Sequence, residues 1–352
     1  MAGPLASQAG ASVAVKDVRG RSVVLSRPAQ RLLIDDGRYL VALALIHPEP
    51  ASLIAAWPRD VNRIGEQMHA GFKARTPGLD QLPQVSSSAG AFSLERVLDV
   101  RPDVAIFTLG LGPTDAQIQQ IEAAGIPVVF IDFFSHPFEN LEPSLLALGQ
   151  IVGREEKARA FIAFRRARLS RIADRVKRSS GAPPRVFLEA HAGMSADCCN
   201  SPGKGNVGDY IAFVGGHNIG ADVLPGTFGK LNPEYVIAQQ PAIYIATGGP
   251  HLEKTGGLVV GPGYTSERAR QSLAAMAARP VIAQLPAVRD GRVFGLSHQL
   301  LNSPLDLLAV ESLAVWIRPD LFKDVDPAST QREINARFLA VPLEGACWVS
   351  LR

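Results

Sequence analysis

Cysteine is scarce in this chain of 352 residues: Cys198, Cys199 and Cys347 are its only three. An odd count is no disulfide framework, and no Cys-x-x-Cys spacing is present to hold zinc or a redox pair. Also missing is any apolar run of the roughly 18–20 residues that a membrane-crossing helix needs. The opening stretch, residues 1–14, is small and polar and lacks the apolar centre of a secretory leader, so no signal peptide is read in it. That fits either a cytoplasmic protein or a mature exported one whose leader has been replaced. There is no long basic run, and a net charge of +3 gives no footprint for a nucleic-acid partner. Gly-x-Ser-x-Gly, a clustered carboxylate pair and a Cys-His pair at a strand end are absent too, so no catalytic residue is assigned. The run GKGNVG at 203–208 resembles a phosphate loop only superficially, because it lacks the Lys-Ser/Thr ending and follows no apolar strand directly.

What is present is ordinary for a globular protein: 47% hydrophobic and 20% charged residues. The length suits one large domain or two of medium size. Val13, Val15, Val23 and Val24 flank a turn at 17–20 and read as a hairpin. Beyond it, apolar runs of strand length at 31–35, 103–108, 127–133, 185–189 and 242–247 alternate with helix-like segments such as 114–124 and 267–278. That alternation predicts an α/β fold with mostly parallel sheets covered on both faces.

The rhythm breaks at 137–178, where no strand signal occurs. Leu145, Leu148, Ile151, Ala158, Phe161, Ile162, Phe164, Leu169, Ile172 and Val176 recur there at near-helical spacing, with Arg and Glu in many of the other positions. The part at 155–177 reads as one continuous helix, closed by Gly181, Pro183 and Pro184. A long charged helix between two α/β blocks predicts a rigid connector. The expected organisation is an N-terminal lobe at 1–138 that includes the hairpin, a connecting helix at 139–181, and a C-terminal lobe at 182–352 whose tail packs back on a lobe.

An internal repeat supports two similar lobes. Residues 93–110, SLERVLDVRPDVAIFTLG, align without gaps on 232–249, NPEYVIAQQPAIYIATGG. In each copy a capping residue, Ser93 or Asn232, opens a short helix with an acid in its first turn. A proline follows, then a strand ending in Thr and Gly. In open α/β sheets ligands bind beyond the carboxyl ends of strands, which directs attention to 36–39, 86–88, 108–111, 189–194 and 247–251.

Taken in order, the stretches PAQRLLIDD, SLERVLDVRPDVAIF, NVGDYIAFVGGHNIG, KLNPEYVIAQQPAIYIATGG, AVRDGRVFGLSHQLLNSPLDLLAVESLAVWIRPDLF and PLEGACW cover nearly the whole chain. Through them it resembles the periplasmic binding proteins for iron-siderophore complexes, haem and cobalamin that serve ABC importers. The resemblance implies two α/β lobes on one backbone helix with limited hinge motion, and an exported monomer with no cofactor or metal of its own. Its expected partners are a ferric siderophore or similar iron chelate and an ABC permease dimer in the inner membrane. Glu95 and Glu234 match the family's docking glutamates, one on each lobe. Asn302-Ser303-Pro304 and residues 316–322 look like the iron-complex branch. The alternatives are a protein binding a tetrapyrrole, haem or cobalamin, or a metal-tetrapyrrole enzyme of related two-lobed fold.

Within the expected cleft, Arg38 offers a fixed, forked cation suited to chelate oxygens, and Tyr39 an amphipathic wall. Trp57 and Arg59 follow another apolar run and are candidates for the same roles. Ser87 and Ser88 are hydroxyl donors, and Leu109 lies at a strand end. His191 and Met194 begin the Gly- and Ser-containing run at 191–210, while Thr247, Gly248, His251 and His298 follow or end later strands. The three histidines lie far apart in sequence without an i, i+4 or His-x-His pattern, which argues against direct metal ligation and against haem held by an axial histidine. In an oxidising compartment the expectation is that one of Cys198 and Cys199 pairs with Cys347, a strained vicinal bond being less favoured.

Overall fold

The computed structural model describes residues 12–86, 92–195 and 197–352. The strands Leu32–Ile34, Ile54–Ala56, Val104–Thr108 and Val128–Ile131 are buried at every position. Strands without polar alternation need cover on both faces, which a parallel sheet between helix layers provides. These four form such a sheet, in the order 54–56, 32–34, 104–108, 128–131, with every pair parallel.

A second sheet holds five strands in the order Trp348–Ser350, Val293–Ser297, Ile243–Gly248, Arg185–Glu189, His217–Asn218. All of its pairings are parallel except that of the last strand of the chain, which closes one edge antiparallel. Among the described residues no strand joins the two sheets. The fold is therefore α/β, as the alternation in the sequence predicted, with the two lobes that the repeat predicted. Both repeats keep their grammar. Ser93 caps Leu94–Val100 and Asn232 caps Pro233–Ala238 through side-chain oxygens that accept backbone N–H groups, and each helix leads into a central strand of its sheet.

The span 139–181, expected as one connecting helix, holds two: Pro137–Ile151 and, after a break at 152–154, the 24-residue helix Glu155–Arg178, called the connector below. Glu155 and Glu156 stand in its first turn and Arg175, Lys177 and Arg178 in its last, matching the helix dipole. Ala158, Phe161, Ile162, Phe164, Leu169 and Ile172 are buried along it. Buried among them is Arg165, whose Nε and Nη2 donate to Asp306 at 2.9 and 2.6 Å. The Tyr210 hydroxyl donates to the same carboxylate at 2.9 Å. The connector is thus clamped to the second lobe by a buried pair whose polar atoms are matched.

The C-terminal tail does more than pack back on a lobe. After the helix Pro327–Arg337, Ala340 donates to the Ala44 carbonyl of the first lobe at 2.9 Å. The Gln67 side chain donates to the Pro342 carbonyl at 3.1 Å and accepts from the Glu344 N–H at 3.3 Å. Val341 and Leu343 are buried there, and Gly71 makes room: a Cβ on it would lie 2.4 Å from Val341 Cγ1. The chain then returns to the second lobe to form Trp348–Ser350. Two apolar side chains seeking cover thus draw the tail across both lobes.

The cysteine expectation is corrected. Cys198 and Cys199 are bonded to each other, and Cys347 is buried and free. Cys347 packs in the main core with Leu188, Ile245 and Leu296. The vicinal pair packs with Phe187, Tyr244 and Val293. Neighbouring residues of a strand face opposite sides of a sheet, so the second sheet stands between the pair and Cys347.

Candidate functional site

The carboxyl ends of both sheets meet at a cleft holding a cavity of about 310 Å³. The first lobe lines it with Arg38, Asn62, Arg63, Thr108, Leu111 and Phe134, and the second with His191, His251, His298, Gln299 and Asn302.

On the first wall, the strand Leu32–Ile34 runs into Asp35 and Asp36, both buried. Asp36 accepts from Arg38 Nε at 2.9 Å and Nη2 at 2.5 Å, and from Arg63 Nη1. Burial works to raise the Asp36 carboxyl, yet Arg38 and Arg63 hold it below the ordinary carboxylate range. Among the described residues no cation forms an ion pair with Asp35. Burial pushes it up to about 7, opposed by the Thr108 N–H and reinforced by Asp36. Thr108 donates to Asp35 through its N–H at 2.9 Å and its hydroxyl at 3.0 Å.

On the second wall, His191 Nδ1 lies 2.8 Å from His251 Nε2. The His298 ring lies against His191, tilted by 40° with centroids 3.9 Å apart. Thr247 organises the group: its hydroxyl accepts from the His191 backbone N–H at 3.0 Å and sits 3.3 Å from His298 Nδ1. His191 has φ of +52°, a left-handed conformation unusual outside glycine. Burial, then His251 and Arg38, lowers the His191 pKa to about 4. Burial lowers His251 as well, and burial with His191 and Arg38 takes His298 far down. Burial thus disfavours the charged form of all three rings.

Contacts cross the cleft. Gln299 donates to the Asn62 carbonyl at 3.1 Å. With its amide turned to match its neighbours, Asn302 accepts from Arg38 Nη1 at 2.6 Å.

Of the residues singled out from the sequence, Arg38, His191, His251 and His298 come together on the cavity wall. Thr247 stands behind them as a support. The others are placed elsewhere. Trp57 is fully buried and its Nε1 donates to the Leu79 carbonyl at 3.0 Å, so it is core. The Arg59 guanidinium caps the Leu82 carbonyl, 3.2 Å from Nε, away from the cavity. Tyr39 is buried beneath the floor with its hydroxyl 2.6 Å from Thr108 Oγ1. Leu109 donates its N–H to Ile131, and Leu111 takes the place at the cavity. Gly248 is a packing residue, since a Cβ on it would lie 2.1 Å from the Leu258 carbonyl oxygen. Met194 is 51% exposed and outside the cavity lining. Ser87 and Ser88 lie outside the described residues. Glu95 and Glu234 are both exposed, away from the cavity, with no ion pair among the described residues.

Sequence reasoning missed Asn62, Arg63, Phe134 and Gln299 as wall residues. Only Arg63 had a signal: it follows Asp60 by three on a short helix, Val61–Ile64, as a cation able to reach the acids after the first strand.

A family model described as periplasmic binding protein matches residues 43–300. Among solved structures, the chain is 26% identical to the TroA-like periplasmic binding protein FepB from Veillonella parvula, covering 97% of this chain and 100% of that one at a TM-score of 0.86. It shares its fold with the molybdate-binding MolA of Haemophilus influenzae, at 17% identity, 94% and 99% coverage and a TM-score of 0.70. A cobalamin-binding protein of Halobacterium salinarum is 27% identical over 172 residues, 48% of this chain and 44% of that relative, so the match spans less than half the relative's length. With a matching family model over most of its length and a two-lobed fold to go with it, the chain belongs to the periplasmic binding proteins of ABC importers.

Proposed function

We propose that this protein captures a small metal chelate of the ferric-siderophore type between its lobes and delivers it to an ABC permease. One observation carries this reading: the cleft sets guanidinium groups on one wall against three imidazoles on the other. Forked cations suit the oxygen-rich rim of a chelate, and imidazoles tolerate a metal-bearing face. Native mass spectrometry against a mixture of ferric siderophores is the direct test, and binding of none of them overturns the reading. Arg38→Ala is expected to weaken an anionic chelate by about 1.5–3 kcal/mol, the cost of a lost charge-assisted hydrogen bond; unchanged affinity by titration calorimetry would remove Arg38 from the site.

A second reading, a tetrapyrrole ligand, is favoured by the similarity to the cobalamin-binding protein. Cobalamin or haem added to the same mixture discriminates between the two. For delivery, the proposed contacts are Glu95 and Glu234, which the repeat puts at equivalent points on the two lobes.

A further inference from the structure

We propose that Asn302 is a stand-in for a ligand oxygen: in the ligand-free protein its side-chain carbonyl occupies the one guanidinium nitrogen of Arg38 that Asp36 leaves to the cleft, and when a ligand oxygen takes that nitrogen the amide turns over, its carbonyl passing to Asn206 and its NH2 to the ligand. This rests on the reading of the cleft as the place where oxygen-rich chelates are captured. It adds the residue that sets what such a ligand must displace.

The first argument is a count of donors. A guanidinium presents its N–H groups in a fixed fork. Arg38 directs Nε and Nη2 to Asp36, at 2.9 and 2.5 Å. Nη1 is the nitrogen left for the cleft, and the Asn302 carbonyl meets it there at 2.6 Å. A ligand oxygen that binds Nη1 has to replace that contact.

The second argument is that the same amide has another claimant. Asn206 Nδ2 lies 3.1 Å from it. A side-chain amide has one oxygen and one NH2 group, so it cannot accept from two neighbours on opposite sides. Turned towards Arg38, its oxygen accepts from the guanidinium and its NH2 donates to the Leu301 carbonyl at 3.1 Å, but that NH2 also faces the NH2 of Asn206. Turned the other way, the oxygen accepts from Asn206 and lies beside the Leu301 carbonyl, and the NH2 faces the guanidinium. Each orientation satisfies one donor and opposes another. The charge on Arg38 favours the first while Nη1 has no other acceptor. A ligand oxygen on Nη1 reverses the preference, because it removes the claim of Arg38 and gives the NH2 an acceptor.

The third argument is that the second claimant is fixed in place. Asn206 is fully buried. Its Nδ2 also donates to the Phe134 carbonyl, and its backbone N–H donates to the Ser135 carbonyl at 3.2 Å. Its φ is +48°, a conformation that persists in a non-glycine residue only where the surroundings enforce it. Asn302 is itself only 4% exposed, so a carbonyl displaced from Arg38 with no waiting donor would be stranded, and that loss would subtract from ligand affinity. Asn206 prevents it. Weak acceptors cannot displace a charge-assisted bond, so the exchange selects ligands rich in strongly accepting oxygens.

The experiment measures melting temperature, and follows the binding of two ferric complexes, a trianionic tris-catecholamide and a neutral tris-hydroxamate, by tryptophan fluorescence. In Asn302→Asp two carboxylate oxygens serve Arg38 and Asn206 together. The melting temperature is therefore expected to rise by about 2–4 °C, while both complexes bind at least tenfold more weakly. A merely structural role would move stability and affinity in the same direction. Asn206→Gly suits the backbone at φ +48° and removes the waiting donor. It is expected to weaken both complexes at least threefold, and to lose that effect in an Asn302→Ala background, which has no amide to turn. This second comparison decides if the aspartate variant does not fold. A folded Asn302→Asp whose melting temperature does not rise, weakening confined to the trianionic complex, or an equal effect of Asn206→Gly in both backgrounds overturns the exchange and leaves the chelate reading standing. Binding of neither complex by the unaltered protein overturns both.

Discussion

Glu311, on the helix Asp306–Ile317, has a buried carboxylate oxygen with no hydrogen-bond partner among the described residues. Burial pushes its carboxyl from 4.5 up to about 7, opposed by Thr330, Arg168 and Arg171 and reinforced by Asp326. A carboxyl raised in the fold binds its proton more tightly there than in the unfolded chain. Its contribution to stability is therefore complete below about pH 4.5 and lost as pH rises towards 7. Glu311→Gln keeps the shape and removes the charge. It is expected to stabilise the protein at pH 8 by on the order of 1–3 kcal/mol and to change little at pH 4.5. Urea unfolding at the two pH values checks this, and an equal effect at both would show that the carboxyl is not raised. At this scale the sequence was half legible. Each cleft histidine was recognisable because it follows a strand end, but their convergence was not, since 60 residues separate His191 from His251 in the chain. Trp57 failed for a different reason: an aromatic after an apolar run looks the same in sequence whether it faces a cleft or, as here, fills the core.

The connector helix was the most legible element, because a 3.6-residue period sustained over its length has no competing explanation. What the period could not show is how the helix is fastened. Arg165 looks like one more of its many surface charges, yet its side chain is 1% exposed and joined to Asp306. Removing one member of such a pair strands the other charge in the core, so Arg165→Ala is expected to cost about 3–5 kcal/mol. Replacing both, as Arg165→Met with Asp306→Leu, should recover much of that loss. Denaturant midpoints of the single and double variants measure it, and a cost under about 1 kcal/mol for Arg165→Ala would mean that water reaches Asp306. The vicinal cysteines belong to this scale too. Their partner choice depends on which face of the second sheet each side chain takes, and spacing in the sequence does not carry that.

Across the whole molecule, the two-lobed plan was readable from alternation and repeat, whereas the path of the tail was not. Its crossing depends on contacts such as that of Ala340 with Ala44, nearly 300 positions apart, for which no local pattern exists. The proposed docking pair also belongs here. Exposed charges at a rim contribute modestly one by one and more when a rigid body presents them together. Glu95→Ala combined with Glu234→Ala is expected to leave ligand affinity and melting temperature unchanged while reducing uptake through the cognate permease sharply, and reversal to Arg should reduce it further. Uptake at full rate in reconstituted vesicles would return both residues to ordinary helix-start acids.

The tail that touches the first lobe before completing the second sheet changes who does the mechanical work. With the helix Glu155–Arg178 and the tail both touching the two halves, opening the cleft means flexing two ties at once. Under the proposed function, release of a cargo at the permease works against both of them.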